Sequence, residues 1–107
     1  MIDPEGIAAL VREIRQHYHP LKLVLFGSYA REEAHTGSDL NLCLVVTEAG
    51  EWLERHAEFL RRIDLPGLAI QPVIYTSGEL ERLRAEGHPF VREILEEGRV
   101  LHERRRS

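Results

Sequence analysis

The residues with the clearest chemical potential lie in one stretch of the chain, residues 21–46. Gly27 and Ser28 follow an apolar run, and backbone amides with a hydroxyl at such a turn into a helix form a ready anion site. Asp39 and Asn41 come next, separated by one residue. A strand rises roughly 6.6 Å over two residues, so both side chains can reach one ligand from one side. The stretch therefore indicates a site for an anionic ligand.

The same stretch predicts the elements that position these residues. Leu21–Phe26 is apolar apart from Lys22, which is typical of a strand covered on both faces. Ser28 is predicted to cap a short helix, Tyr29–Ala34, and His35–Ser38 has the composition of a loop. Asp39–Val46 then returns as a strand with leucines at 40, 42 and 44 on one face and Asp39 and Asn41 on the other.

The rest of the chain supplies further helices and strands. The first helix starts at Asp3-Pro4 and ends near His17–His19, because Pro20 disfavours helix before it. Pro72 predicts an edge position or a bulge for the third strand. The other predicted segments are a helix at Glu51–Ile63, a strand at Leu68–Thr76, a helix at Ser77–Glu86 capped by Ser77, a final helix from Phe90 ended by Gly98, an extended segment at Arg99–His102 and a frayed charged tail at Glu103–Ser107.

This order of elements predicts an α/β (α+β) protein, one domain over residues 1–107. A net charge of −4 argues against a general nucleic-acid binder, whose surface is basic. No apolar run approaches the ~20 residues of a membrane helix, and the first residues of the chain show no signal-peptide pattern. A single cysteine excludes an internal disulfide and a cysteine-based zinc site. We therefore expect a cytoplasmic protein.

Two groups of residues could form a binding site but are more simply explained by their place in a helix. His17 and His19 at alternate positions would need a third ligand to hold a metal, so a solvated helix end is favoured. Trp52 and His56 fall with Phe59, Leu60 and Ile63 along one side of the predicted helix Glu51–Ile63, where aromatic residues at helical spacing usually belong to a core. Stacking of Trp52 on a nucleotide base is the alternative.

Gly27-Ser28 followed by Ser38-Asp39-Leu40-Asn41 resembles the signature of DNA polymerase beta-type nucleotidyltransferases, and of the small stand-alone minimal nucleotidyltransferases in particular. The ending Phe90–His102 is similar to that group as well. The resemblance implies a small mixed β-sheet with the helices packed largely on one face. It also implies Mg²⁺ and ATP as cofactors, with phosphate contacts from Gly27, Ser28, Arg31 and Ser38.

The metal ligands are where the sequence departs from that family. The resemblance assigns carboxylates to position 39, to position 41 and to a position on the third strand, whereas this chain has Asp39, Asn41 and, in the favoured register, Gln71. Asp39 and Asn41 are thus the candidate metal ligands, and Asp39, Asn41 and Gln71 the candidate catalytic positions. An amide at position 71 cannot accept a proton as a general base.

Two functions from different classes follow. The resemblance implies a HEPN-domain toxin as partner, which a degenerate antitoxin-type member would neutralise by physical binding. The alternative is an active Mg-ATP-dependent enzyme that transfers a nucleotide to a protein or small-molecule acceptor. The missing carboxylates favour the first. Self-association is left open by the sequence.

Overall fold

The computed structural model describes residues 2–63, 65 and 67–104. Helices and strands follow in the order α1 Pro4–Tyr18, β1 Lys22–Phe26, a single 3-10 turn Gly27–Tyr29, β2 Leu40–Val46, α2 Trp52–Arg62, β3 Ile70–Thr76, α3 Ser77–Ala85, α4 Pro89–Glu97 and β4 Arg99–Glu103. The Asp3 carboxylate caps α1 by accepting from the Gly6 amide at 2.8 Å, as the Asp3-Pro4 pair predicts. None of these helices is long and apolar enough to cross a membrane.

The four strands form one mixed sheet in the order β3-β2-β1-β4. β1 pairs antiparallel with both β2 and β4, and β2 pairs parallel with β3. β3 is an edge strand, which accommodates Pro72 as the sequence predicts. The structure thus confirms the predicted α+β class.

Helices pack on both faces of the sheet, which corrects the expectation that they lie largely on one. On one face, Leu10 and Ile14 of α1 and Phe59 of α2 contact Leu42 and other even-numbered residues of β2. On the other face, Val91 and Ile94 of α4 pack on the even-numbered residues of β1 and the odd-numbered residues of β2. Residues of α3 pack against the same cluster. The reason is visible in β1, whose last four residues are buried on both sides.

The predicted helix Tyr29–Ala34 is not formed. After the 3-10 turn the backbone enters the left-handed region at Glu32, with φ of 59°, which ends helical geometry. A helix this short gains too few hydrogen bonds to offset its nucleation cost, and the chain must reverse here to reach β2. Ser28 consequently caps no helix; the turn begins at Phe26 without a side-chain cap.

Two further boundaries differ from prediction. Thr76 rather than Ser77 caps α3, because Thr76 and Glu79 form a reciprocal capping box. Glu103 belongs to β4 instead of a frayed tail, and the Arg104 amide donates to the Leu21 carbonyl at 2.8 Å. The remainder of the predicted tail, 105–107, lies outside the described residues.

α2 buries an arginine where an apolar stripe was expected. His56 and Leu60 are exposed and Trp52 is half exposed beside Tyr75, whereas Arg55 is buried with Phe59. The Arg55 guanidinium donates to the carbonyls of Gly50 and Ile74, at 2.8 and 3.0 Å, and to the Glu79 carboxylate at 2.7 Å. These partners satisfy the buried charge, so α2 is anchored to β3 and α3 by an ion pair.

This pair makes stability depend on pH. The hydrogen bond from Arg55 lowers the pKa of Glu79 to about 2, below the ordinary 4.5. A carboxylate with a lowered pKa stabilises the fold above its unfolded pKa, and that contribution is lost as pH falls from about 4.5 towards 2. We expect Glu79→Gln to cost about 2 kcal/mol of unfolding free energy at pH 6 and much less at pH 3, measured by urea unfolding.

Glu81→Gln is the matched control, because Glu81 forms only an exposed ion pair with Arg84 three residues along α3. It should change stability little at either pH. An equal loss for Glu79→Gln at pH 6 and pH 3 would contradict a role for the ion pair.

Candidate functional site

The predicted site residues converge where the strand ends of β1, β2 and β3 meet, which we call the edge of the sheet. β1 ends where β2 and β3 begin, so Gly27, Asn41 and Gln71 meet there. Asn41 is the register partner of Phe26 on one side and of Gln71 on the other. Residues paired across adjacent strands point to the same face, so Asn41 and Gln71 share the α3/α4 face of the sheet. The sequence analysis placed Gln71 at the third carboxylate position, and in the structure Gln71 pairs with Asn41.

The Gly27–Tyr29 turn is held against this edge from both sides. Gly27 has φ of 76°, and a Cβ there would lie 2.5 Å from the Asn41 side-chain nitrogen, so only glycine lets the amide pack on the turn. Tyr29 is buried on the α1 face, and its hydroxyl accepts a hydrogen bond from the Ile2 amide at 3.0 Å. The position of Ser28 is therefore fixed between two anchored neighbours.

Asp39 and Ser38 approach the edge from the loop before β2. Ser38 closes a turn with His35: its hydroxyl accepts from the His35 amide at 2.9 Å, and its amide donates to the His35 carbonyl at 2.9 Å. Asp39 is exposed and directly precedes β2, two residues before Asn41. The hydroxyl proton of Ser38 is not used in this turn, so Ser38 retains a donor for an anion.

Arg31 is near the turn but faces carboxylates. Its Nε donates to Glu33 at 3.2 Å, and its Nη1 lies 3.8 Å from a carboxylate oxygen of Glu93 and of Glu97 on α4. Exposed pairs of this kind stabilise by at most about 1 kcal/mol, so a phosphate group can displace them. Sequence reasoning missed these partners. Their spacing of four residues places Glu93 and Glu97 on one helix face, but only the packing of α4 brings that face to Arg31.

The donor set does not fit a pair of divalent cations. Asp39 is the single carboxylate among the three positions of the candidate metal site, with amides at Asn41 and Gln71. No group of three or more His, Cys, Asp or Glu side chains suited to a metal occurs among residues 2–63, 65 and 67–104. Magnesium sites use one or two carboxylates completed by phosphates and water. One cation shared with a triphosphate is the most that these residues can hold.

Cys43, two residues beyond Asn41 on β2, adds no nucleophile. Its thiol is buried, and burial raises its pKa to about 12. The thiolate is the reactive form, so this cysteine is inert at neutral pH. The groups that this edge offers are therefore amides, hydroxyls, one carboxylate and the Arg31 guanidinium.

Comparison with known proteins agrees with this architecture. A crystal structure of a candidate nucleotidyltransferase from Sulfolobus solfataricus superposes with a TM-score of 0.61 over 92% of this chain and 78% of that one, at 18% sequence identity. At that identity the likeness concerns the fold. A search of curated proteins finds no significant match. The family model described as "Nucleotidyltransferase domain" matches residues 7–102, which include every candidate site residue. The chain therefore belongs to the nucleotidyltransferase domain family.

Proposed function

We propose that this chain works mainly as a binding module of its family, neutralising a helical HEPN-type protein by occupying its surface, with weak or absent nucleotidyl transfer. One observation carries the proposal: the three positions that converge at the sheet edge provide a single carboxylate, Asp39. The scaffold for nucleotide chemistry is assembled around a metal site that lacks most of its charge.

The size of the deficit decides against efficient catalysis. At an effective dielectric of about 20, one charge roughly 4 Å from another contributes about 4 kcal/mol before screening. Two such charges are replaced by neutral amides, beside a site that must also accept a triphosphate. Nucleotidyl transfer depends on neutralising charge that develops on phosphate oxygens, which is the contribution that paired cations make. Gln71 also cannot take a proton from an attacking hydroxyl.

The alternative function, an active Mg-ATP-dependent nucleotidyltransferase, keeps some support. Asp39 and the Gly27–Tyr29 turn are in place, and the glutamate contacts of Arg31 are weak enough to exchange for phosphate. In an active enzyme Asp39 would be the residue whose loss stops the reaction. In a binding module Asp39 is one exposed carboxylate among many.

Asp39→Ala separates the two functions. The control is Glu48→Ala, which removes an exposed carboxylate beyond the far end of β2. The natural chain, the variant and the control are each combined with a HEPN-type toxin. We expect all three to bind it with affinities within about twofold of each other, measured by calorimetry, because one exposed charge contributes at most about 1 kcal/mol, and usually less. All three should also suppress its toxicity equally.

Two outcomes would overturn the proposal. Suppression lost with Asp39→Ala but kept with Glu48→Ala would assign the activity to catalysis. No measurable binding between the natural chain and the HEPN-type protein would remove the partner from the proposal.

A further inference from the structure

A concave surface lies at the opposite end of the sheet from Asp39 and Asn41. It is formed where α1 ends, where β1 starts and where β4 ends, and it encloses about 450 Å³. Its polar lining residues come from α1 and the turn after it and from the last part of β4: Arg12, Arg15, Gln16, His19, His102 and Arg104. We call these six residues the basic concavity.

The basic concavity concentrates positive charge on a chain whose net charge is −4. Three arginines and two histidines line it, and no acidic side chain is among its lining residues within the described ranges. Positions 12, 15 and 16 follow helical spacing, so α1 presents them on one face, and His19 follows in the turn after the helix.

The arginines of the basic concavity are also not neutralised by neighbours. In the described part of the chain, Arg12, Arg15 and Arg104 take part in no ion pair, whereas Arg31, Arg55, Arg62, Arg84 and Arg92 all do. The pKa of His102 is lowered by burial and by the charges of Arg15 and Arg104, which is consistent with a positive field at this surface.

A simpler role for some of these cations is to stabilise the negative end of the α1 dipole. That end carries about half an elementary charge, and the effect is confined to the last turn. Arg12 lies before the last turn, and Arg104 belongs to the segment after β4. The three guanidinium charges therefore exceed the partial negative charge at the end of α1. Most of the positive charge is not balanced by the helix and can attract an external anion.

The composition of the basic concavity favours carboxylates over a nucleic-acid backbone. No Phe, Tyr or Trp lines it, so the large aromatic faces on which bases stack most strongly are missing, and the acidic net charge of the chain opposes a long polyanion. Guanidinium groups match carboxylates with two parallel hydrogen bonds. We propose that the basic concavity binds a short acidic segment, rich in Asp and Glu, of a partner protein. The inference that the anion belongs to a protein rests on the proposed function. The inference that the surface binds an anion does not depend on it.

The test uses a fluorescein-labelled octaglutamate peptide and the full chain in low salt, with anisotropy as the readout. We expect saturable binding that weakens steadily as salt is raised, because the contacts are solvent-exposed charges. Arg12→Gln/Arg15→Gln should weaken it about tenfold, since each exposed pair contributes at most roughly a factor of five. Arg61→Gln/Arg82→Gln, which removes the same charge from exposed sites on α2 and α3, should change it less than twofold.

Proton NMR of the histidine rings locates the peptide. The imidazole signals of His19 and His102 should move on titration, while those of His35, in the loop at the opposite end of the sheet, should stay. Circular dichroism confirms that both double variants remain folded.

Three results would overturn the proposal. The first is no binding of the peptide at low salt, and the second is an equal loss of peptide affinity in both double variants. The third is a twelve-nucleotide RNA that binds more tightly than the peptide and whose binding depends equally on Arg12 and Arg15. None of these experiments changes Asp39. Their outcome is therefore independent of the Asp39→Ala test of the proposed function.

Discussion

Asn41→Asp/Gln71→Asp is expected to raise the affinity for magnesium-ATP about a hundredfold, roughly 3 kcal/mol. The two residues are register partners on β2 and β3, and Asp39 directly precedes β2, so the variant places three carboxylates at one sheet edge. Each added charge is worth roughly 4 kcal/mol against a neighbouring cation before water and ions screen it. Calorimetric titration with ATP, with and without magnesium, measures the gain.

The control for this prediction is Thr47→Asp/Ala49→Asp. It adds the same two charges on exposed residues just beyond the other end of β2, six or more residues from Asn41. It should not create metal-dependent binding. If the natural chain already binds magnesium-ATP at micromolar concentration and the double variant does no better, the carboxylate deficit has no consequence and the enzyme alternative is favoured.

Gly98→Ala is expected to destabilise the fold by about 3 kcal/mol, the upper end of the usual cost of overpacking. Gly98 ends α4 and starts the path into β4, and its amide donates to the Ile94 carbonyl at 2.9 Å. A Cβ at this position would overlap the Ile94 carbonyl oxygen and the Val24 side chain. Relief would require moving the backbone of α4 away from β1. Urea unfolding of the natural chain and the variant measures the loss.

Gly78→Ala is the comparison for this effect. Gly78 lies in the first turn of α3, and a Cβ there meets nothing within 4 Å. Alanine should raise stability by about 0.5–1 kcal/mol, because glycine is the poorer helix former. Equal effects of the two substitutions would show that close packing at Gly98 is not what makes it sensitive.

Much of the fold is predictable from local sequence because local physics dominates there. The Asp3-Pro4 start of α1, the alternation of Leu40–Val46 and the edge position of the strand with Pro72 each follow from capping, strand periodicity or a missing donor. The candidate edge is similarly predictable. Gly27, Asp39 and Asn41 are close in the chain, and antiparallel pairing of two neighbouring strands brings them together.

Local sequence failed where distant segments decide the outcome. The segment 29–34 has a helical composition, yet the chain must turn at Glu32 to bring β2 alongside β1. Arg55 is buried although periodicity predicts a polar surface position, because Gly50, Ile74 and Glu79 together satisfy its charge. Gly98 ends α4 as predicted, but its backbone is extended and does not itself require glycine. Glycine is needed because a Cβ there would collide with the Val24 side chain of β1.

The sequence by itself thus determined most of the helices and strands, the family resemblance and the presence of amides rather than carboxylates at positions 41 and 71. Tertiary structure decided that Asn41 and Gln71 are neighbours, that Arg31 faces Glu93 and Glu97, and that α1 and β4 bring their cations together. The physical reason is the same in each case. Strand periodicity and capping act over a few residues, whereas charges and packed surfaces interact through space between segments that the chain order keeps far apart.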